Sequence, residues 1–438
     1  MMPQPGADAS PIYGKAGAIA PVAVCVFDVD RPADLDLGTT ADGQAYRSAL
    51  IVLRRANAPV GAMVIAVDGP SLGAFDVLAT AEEALKGVEL QPGPLSDTGP
   101  LVTVVVTTCD QPEQLMRCLD ALESSHYRPF EIVVVENRPG PQSGTREAVR
   151  GYARVRYVEE PVPGLSRARN AGLAVARGEV VAFTDDDVVV DPDWLPALVA
   201  AFDAAPDVAA VTGLILPLTL DSEAQLLLEQ FAACGKGLAP GTPRRAAGRA
   251  RDPLFPYTAG ALGSGANTAV RTAVLRAMGG FDATLGAGTP AMGGEDLDLL
   301  IRLILDGHAV RYEPRALLWH DHPATMARLT TQVRSYGVGL AAMAAKHLTR
   351  GDERAYLLRQ APSVFRYLLS PASRKNEQKG PEFPRELVVR ERLGMVQGPL
   401  ALARSRREAR RADAASAAFR PTWIGQVDRA DGLGDLVA

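Results

Sequence analysis

Glu179–Asp187 reads EVVAFTDDD, an uninterrupted apolar and β-branched run that ends in three consecutive aspartates. Such a run suits a buried parallel strand, and charge that interrupts it lies beyond the strand's carboxyl end, where open α/β sheets place their ligands. Three adjacent carboxylates repel one another unless a cation compensates them. Magnesium or manganese held by one or two carboxylates completes its shell with substrate phosphate and water, so the stretch predicts a metal–diphosphate site.

The same pattern extends outward on both sides. LVTVVVTT from Leu101 reads as a first strand, Gln114–Leu122 as an amphipathic helix and EIVVV from Glu131 as a second strand. Arg154–Glu159 gives a third strand, Leu165–Ala176 a helix and Glu179–Thr184 the fourth strand. Asp110 and Glu113 have the spacing of a capping box, and Pro112 sits in the first helical turn, where its missing N–H costs little. The alternation predicts a Rossmann-like α/β domain, a mainly parallel sheet covered by helices on both faces. The second strand ends in Glu136-Asn137-Arg138, again charge at a strand end. Before the fourth lies PGLSRARNAG, Pro163–Gly172, a turn opening a helix with free N–H groups in its first turn. Arg167 and Arg169 there either neutralise phosphate or lock the nearby carboxylates.

The whole chain has 438 residues, enough for two or three domains. Residues 1–97 read as a small α+β accessory unit, with strands in Pro21–Asp28 and Ala49–Asp68, a helix-like AEEALK segment and a linker at Gln91–Pro100. Residues 98–325 form the α/β domain, and 326–438 a helical, Arg-rich extension. With 46 basic against 51 acidic residues, the chain lacks the positive field that recruits nucleic acid. Cys25, Cys109, Cys118 and Cys234 show no metal-ligand or disulfide spacing, which points to a reducing, cytoplasmic setting. Met1–Tyr13 has no signal-peptide pattern, and no stretch is apolar enough to span a bilayer. Five arginines in Arg404–Arg411 read as a solvated helix face, or as a surface peripheral to the membrane that touches anionic lipid or a partner.

Seven motifs in order resemble the GT-A-fold, family 2 inverting glycosyltransferases over roughly Pro100–Gly339. They are Thr107-Thr108-Cys109-Asp110, Glu136, GLSRARNAG, Asp185-Asp186-Asp187, Gly263-Ser264-Gly265-Ala266-Asn267, Gly293-Gly294-Glu295-Asp296 and Trp319-His320-Asp321-His322. The resemblance implies a nucleotide-sugar donor, UDP foremost, and Mn2+ or Mg2+. It places Thr107, Asp110, Glu136, Arg169, Asn170, Asp185 and Asp186 on the donor side, although the family more often has Asp where this chain has Glu136. Asp187 corresponds to the aspartate that ligates the cation and His320 to a late metal- or diphosphate-holding histidine. His322, two residues on, shares a strand face with His320 and rivals it for that role. Asp296 corresponds to the base and Glu295 to its neighbour, while Gly265 and Asn267 line the acceptor side. Trp194 reads as a packing residue.

Transfer chemistry asks for the same parts. Departure of a diphosphate from an anomeric carbon builds negative charge that a divalent cation stabilises, and the attacking hydroxyl needs a carboxylate within reach. Gln332-Val-Arg334-Ser-Tyr336 departs from the Gln-x-x-Arg-Trp signature of the membrane-embedded synthases, which favours single-sugar transfer. A sugar-phosphate nucleotidyltransferase would need a Gly-rich phosphate loop where Thr-Thr-Cys-Asp stands. A non-catalytic sugar-nucleotide or glycan binder on the same fold is the alternative.

Overall fold

The computed structural model describes residues 20–85, 95–232, 236–373, 375–380 and 382–416. Met1–Tyr13, Gln91–Pro94 of the linker and Cys234 lie outside them.

The accessory unit is a three-stranded sheet of β1 (Val22–Asp28), β2 (Ser48–Arg55) and β3 (Ala58–Ala66), followed by helix α1 (Ala74–Ala84). It sits on the second unit through one apolar cluster, in which Val22, Leu50 and Val52 pack with Leu214, Leu216, Leu220 and Leu317. Arg54 adds a 2.8 Å ion pair to Asp191.

The large sheet contains β4 (Val102–Thr108), β5 (Phe130–Asn137), β6 (Val155–Glu160), β7 (Val180–Asp185), β8 (Val188–Val190), β9 (Val208–Pro217), β10 (Thr268–Arg271) and β11 (Ala309–His320). Their spatial order is β8-β11-β9-β10-β7-β4-β5-β6. The four strands expected to be parallel are so, as β6-β5-β4-β7. β9 and β11 are also parallel to each other, while β10 runs antiparallel to both of its neighbours and β8 to β11. The sheet is therefore mainly parallel, and the chain order reverses at β4, where β5 lies on one side and β7 on the other. That reversal opens a crevice at the carboxyl ends of β4 and β7.

Both faces of β4 are buried, which explains its uncharged, β-branched sequence. Val104 and Val106 join Leu115, Cys118, Leu119 and Leu122 of helix α2 (Pro112–Glu123), together with Trp194. Val105 faces the other way, toward Ala168 and Leu173 of helix α3 (Leu165–Val175). Helix α4 spans Trp194–Phe202, and helix α5 spans Glu223–Ala232. Helix α6 (Glu295–Leu305) covers the same face as α3, and so do Ala342 and Met343 of α7 (Met326–Leu348) and Leu402 of α8 (Arg385–Ser416). The helical extension thus shares the core of the sheet it follows.

One local expectation fails. The capping position of α2 falls on Gln111, which makes no side-chain cap, and Asp110 is exposed with φ 58°. The chain turns through a left-handed residue as it leaves β4, so Asp110 and Glu113 form no capping box.

Candidate active site

The register of β4 against β7 sets Thr107 beside Asp185, and the Thr107 hydroxyl donates to Asp185 Oδ1 at 3.2 Å. Arg169 Nη2 donates to the same oxygen at 3.0 Å, and its Nη1 donates to Glu295 Oε1 at 3.1 Å. The guanidinium stacks 5.4 Å from the Phe281 ring and is 1% exposed. A buried arginine costs several kcal/mol in desolvation unless its partners are good, and here two carboxylates hold it. Arg169 locks carboxylates, and its burial corrects the expectation that it contacts the donor.

Past Asp185 the chain turns into β8, whose Val188 pairs with His320 at the end of β11. Asp187 and His320 meet as a result, with Nε2 3.5 Å from Oδ1. Asp187 Oδ1 is buried with no hydrogen-bond partner, so it keeps lone pairs for a cation. His320 Nδ1 lies 3.3 Å from His322 Nδ1, and His322 Nε2 lies 2.5 Å from Glu229 Oε1 on α5. With Glu229 on His322 Nε2 and His322 Nδ1 on His320 Nδ1, the one ring nitrogen of His320 left over is Nε2, which faces Asp187. His322 is buried behind its neighbour, which corrects its candidacy as a direct ligand: both of its nitrogens are occupied. Glu229 was missed by the sequence argument, because nothing local marks a residue 93 positions from its partner.

These groups suit a hard cation, yet among the described residues no three acids or histidines surround one point. A cation here needs the substrate's own oxygens to complete its shell. Burial, followed by the charges of Asp187 and Asp185, pushes Asp186 up to about 7. Burial also raises Asp187, against the opposing pull of His320. A bound cation would relieve both.

On the opposite side of Arg169, Gly294 starts α6 with φ 85° in the left-handed region, and the next two residues are the paired acids. Asp296 Oδ2 accepts from Gly265 N at 3.0 Å, and Oδ1 accepts from Leu297 N at 2.7 Å. Gly265 therefore aims Asp296 and is itself buried, with no N–H left for an acceptor. Burial, and then the neighbouring Asp296 charge, push Glu295 up to about 7. Across the window from 4.5 to about 7 the folded state keeps a proton that the unfolded chain has lost, so stability falls as pH rises through it. Glu295→Gln is expected to flatten that dependence by up to about 1.4 kcal/mol per pH unit, as read from urea midpoints at successive pH values across the window.

Three further expectations change. Asn267 is fully buried: its Nδ2 donates to Leu214 O at 3.0 Å and to Ala316 O at 2.8 Å, and its Oδ1 accepts from Trp194 Nε1 at 2.8 Å. It ties the sheet to α4 and is not an acceptor contact. Asn267→Ala is expected to cost about 3 kcal/mol or more in urea unfolding, since three polar groups lose their partner. An acceptor contact would instead raise the acceptor KM and leave stability alone. Asn170 brackets the backbone of Phe281 on both sides, at 2.9 Å and 2.8 Å, so its amide is not free for a donor. Glu136 is buried, and its carboxylate accepts from Ser143, Thr145 and Tyr157, which leaves it under the strand end and not at a nucleotide. Trp194 is a buried packing residue, as expected.

Residues 103–221 match Glycosyl transferase family 2, and residues 180–374 match Glycosyl transferase family group 2. The pre-mycofactocin glycosyltransferase of Mycobacterium tuberculosis is 29% identical over 269 residues, 61% of this chain and 52% of that protein. The chain thus spans about half the length of that relative. The validoxylamine A glucosyltransferase of Streptomyces hygroscopicus subsp. limoneus is 29% identical over 140 residues, 30% of this chain and 31% of that one. Among solved structures, a mannosyltransferase of Pyrobaculum calidifontis in complex with GDP-Man and Mn2+ aligns with TM-score 0.44 and 21% identity, over 79% of this chain and 83% of that one. The two family matches together run from residue 103 to residue 374, and on them the chain belongs to glycosyl transferase family 2.

Proposed function

We propose that this chain is an inverting, metal-assisted glycosyltransferase that moves one sugar from a nucleotide-diphosphate donor, UDP-linked foremost, to a hydroxyl acceptor. The observation that carries this reading is the Arg169 guanidinium, which touches Asp185 at 3.0 Å and Glu295 at 3.1 Å and so ties the aspartate strand end to the helix bearing Asp296. Asp187 and His320 would hold Mn2+ or Mg2+, and that ion supplies Lewis-acid stabilisation of the departing diphosphate. Asp296, held by two backbone N–H groups, takes the proton from the acceptor hydroxyl. The hydroxyl oxygen bonds to the anomeric carbon from the face opposite the leaving group, and the carbon–oxygen bond to the diphosphate breaks. Anomeric configuration inverts as a consequence.

Single transfer is supported by the pairing of the two polar side chains of the departed signature. Arg334 is occupied by Gln397 of α8 at 2.6 Å, and Gln332 by Tyr336 at 2.7 Å. Among the described residues no helix is long and apolar enough to cross a membrane. Nucleotide release from a panel of UDP-, dTDP- and GDP-sugars, with and without manganese, tests the reading. Manganese-stimulated release that accelerates with an acceptor is expected; tight donor binding without release under any acceptor would establish a binder instead.

A further inference from the structure

Charge is unevenly divided along this chain. Residues 326–416 carry 18 Lys and Arg against 8 Asp and Glu, whereas residues 1–325 carry 26 against 40. Exposed apolar surface is divided in the same way: of the 13 large apolar side chains that stand exposed among the described residues, 10 lie between Met326 and Leu400. Cationic and apolar surface coincide in one segment.

Helix α8 arranges the two by period. Its inner face is fixed against α7, since a Cβ on Gly394 would lie 2.3 Å from Arg334 O and one on Gly398 would lie 2.5 Å from Ala341 Cβ. On the outer face Val389, Leu393, Val396 and Leu400 recur at i, i+4, i+7 and i+11, a single stripe with Val396 78% and Leu400 58% exposed. The stripe continues in the same direction as Arg404, Arg407 and Arg411, all exposed and without an ion pair among the described residues. The short helix Ala361–Leu369 buries no residue and exposes Phe365 and Leu369, with Arg366 beside them.

We propose that the outer face of α8 is a docking surface for an anionic lipid bilayer, with Val389–Leu400 lying in the interfacial region and Arg404, Arg407 and Arg411 on acidic head groups. An aliphatic stripe that runs into arginines is the pattern of a helix lying in the plane of the interface, where apolar burial and head-group attraction add. The acidic remainder of the chain is repelled by the same surface, which orients the molecule with the extension facing the lipid. A second copy is the less suitable occupant, because parallel pairing along the stripe would set Arg407 and Arg411 against their own images.

Flotation of the full chain with vesicles tests this independently of any transfer activity. Binding is expected to vesicles of phosphatidylcholine mixed with phosphatidylglycerol, little binding to phosphatidylcholine alone, and release at high salt. Val396→Glu with Leu400→Glu should abolish flotation while leaving the melting temperature and nucleotide-sugar hydrolysis unchanged. Arg407→Gln should weaken partition by about fivefold, as expected for one basic residue at an acidic surface. Failure to float with acidic vesicles overturns the proposal. So does equal flotation of the double-Glu variant, and so does a dimer in sedimentation that the same two substitutions dissolve, which would assign the face to a second copy.

Discussion

Asp296→Asn is expected to lower turnover by about a hundredfold or more while donor affinity changes little, because general base catalysis contributes on the order of 10²–10⁴ in rate. The substitution keeps the size and shape of the side chain, although its single amide oxygen can accept from only one of the Gly265 and Leu297 N–H groups. It removes the ability to accept the acceptor's proton. A hundredfold loss is about 2.7 kcal/mol of barrier. Stopped-time transfer assays with saturating donor, paired with equilibrium titration of the nucleotide sugar, separate the two quantities. Normal turnover would remove Asp296 from the mechanism and leave proton transfer to another group.

Asp187→Ala should abolish manganese-dependent transfer, and it should also remove manganese binding in the presence of UDP, measured by calorimetry with no reaction running. The motive is the buried Oδ1 without a partner, facing Nε2 of His320. A graded series gives the finer test. His320→Ala should weaken the ion strongly, and Glu229→Gln by about 10- to 100-fold, the usual cost of losing an orienting partner behind a metal-binding histidine. If Glu229→Gln left cation affinity intact, the proton chain from α5 to His320 would have no part in holding the ion.

Much of the α/β unit was legible because its strands are buried on both faces. Val104 and Val105 point into different cores, so no charged residue interrupts the run, and a run of that kind between helical periods has few other solutions. The aspartates and the Glu295-Asp296 pair were legible for the opposite reason: charge at the end of an apolar element has a cost and so marks a place. What the sequence could not convey is which polar side chains face inward. Asn267, Asn170 and Glu136 look like ligand contacts by residue type, but each is consumed by partners between 7 and 111 residues away. Burial of a polar group is decided by tertiary neighbours, and no spacing rule reports it. Arg169 is the intermediate case. Locking of carboxylates was one of its two sequence-derived roles, and only its burial separates that role from phosphate binding.

Gly339 in the middle of α7 lies against the loop before Glu295 and Asp296: a Cβ there would sit 2.8 Å from the carbonyl carbon of Gly293, and one on Gly294 would sit 2.7 Å from Gly339 O. The floor beneath Glu295 and Asp296 is therefore supplied by a helix that begins after the last site histidine. Trimming the chain at His322 to obtain a minimal catalytic piece would cut away that floor, and grafting this extension onto a sibling enzyme would transplant part of the acid loop's support with it. Even a single methyl group at Gly339 is enough to shift the loop.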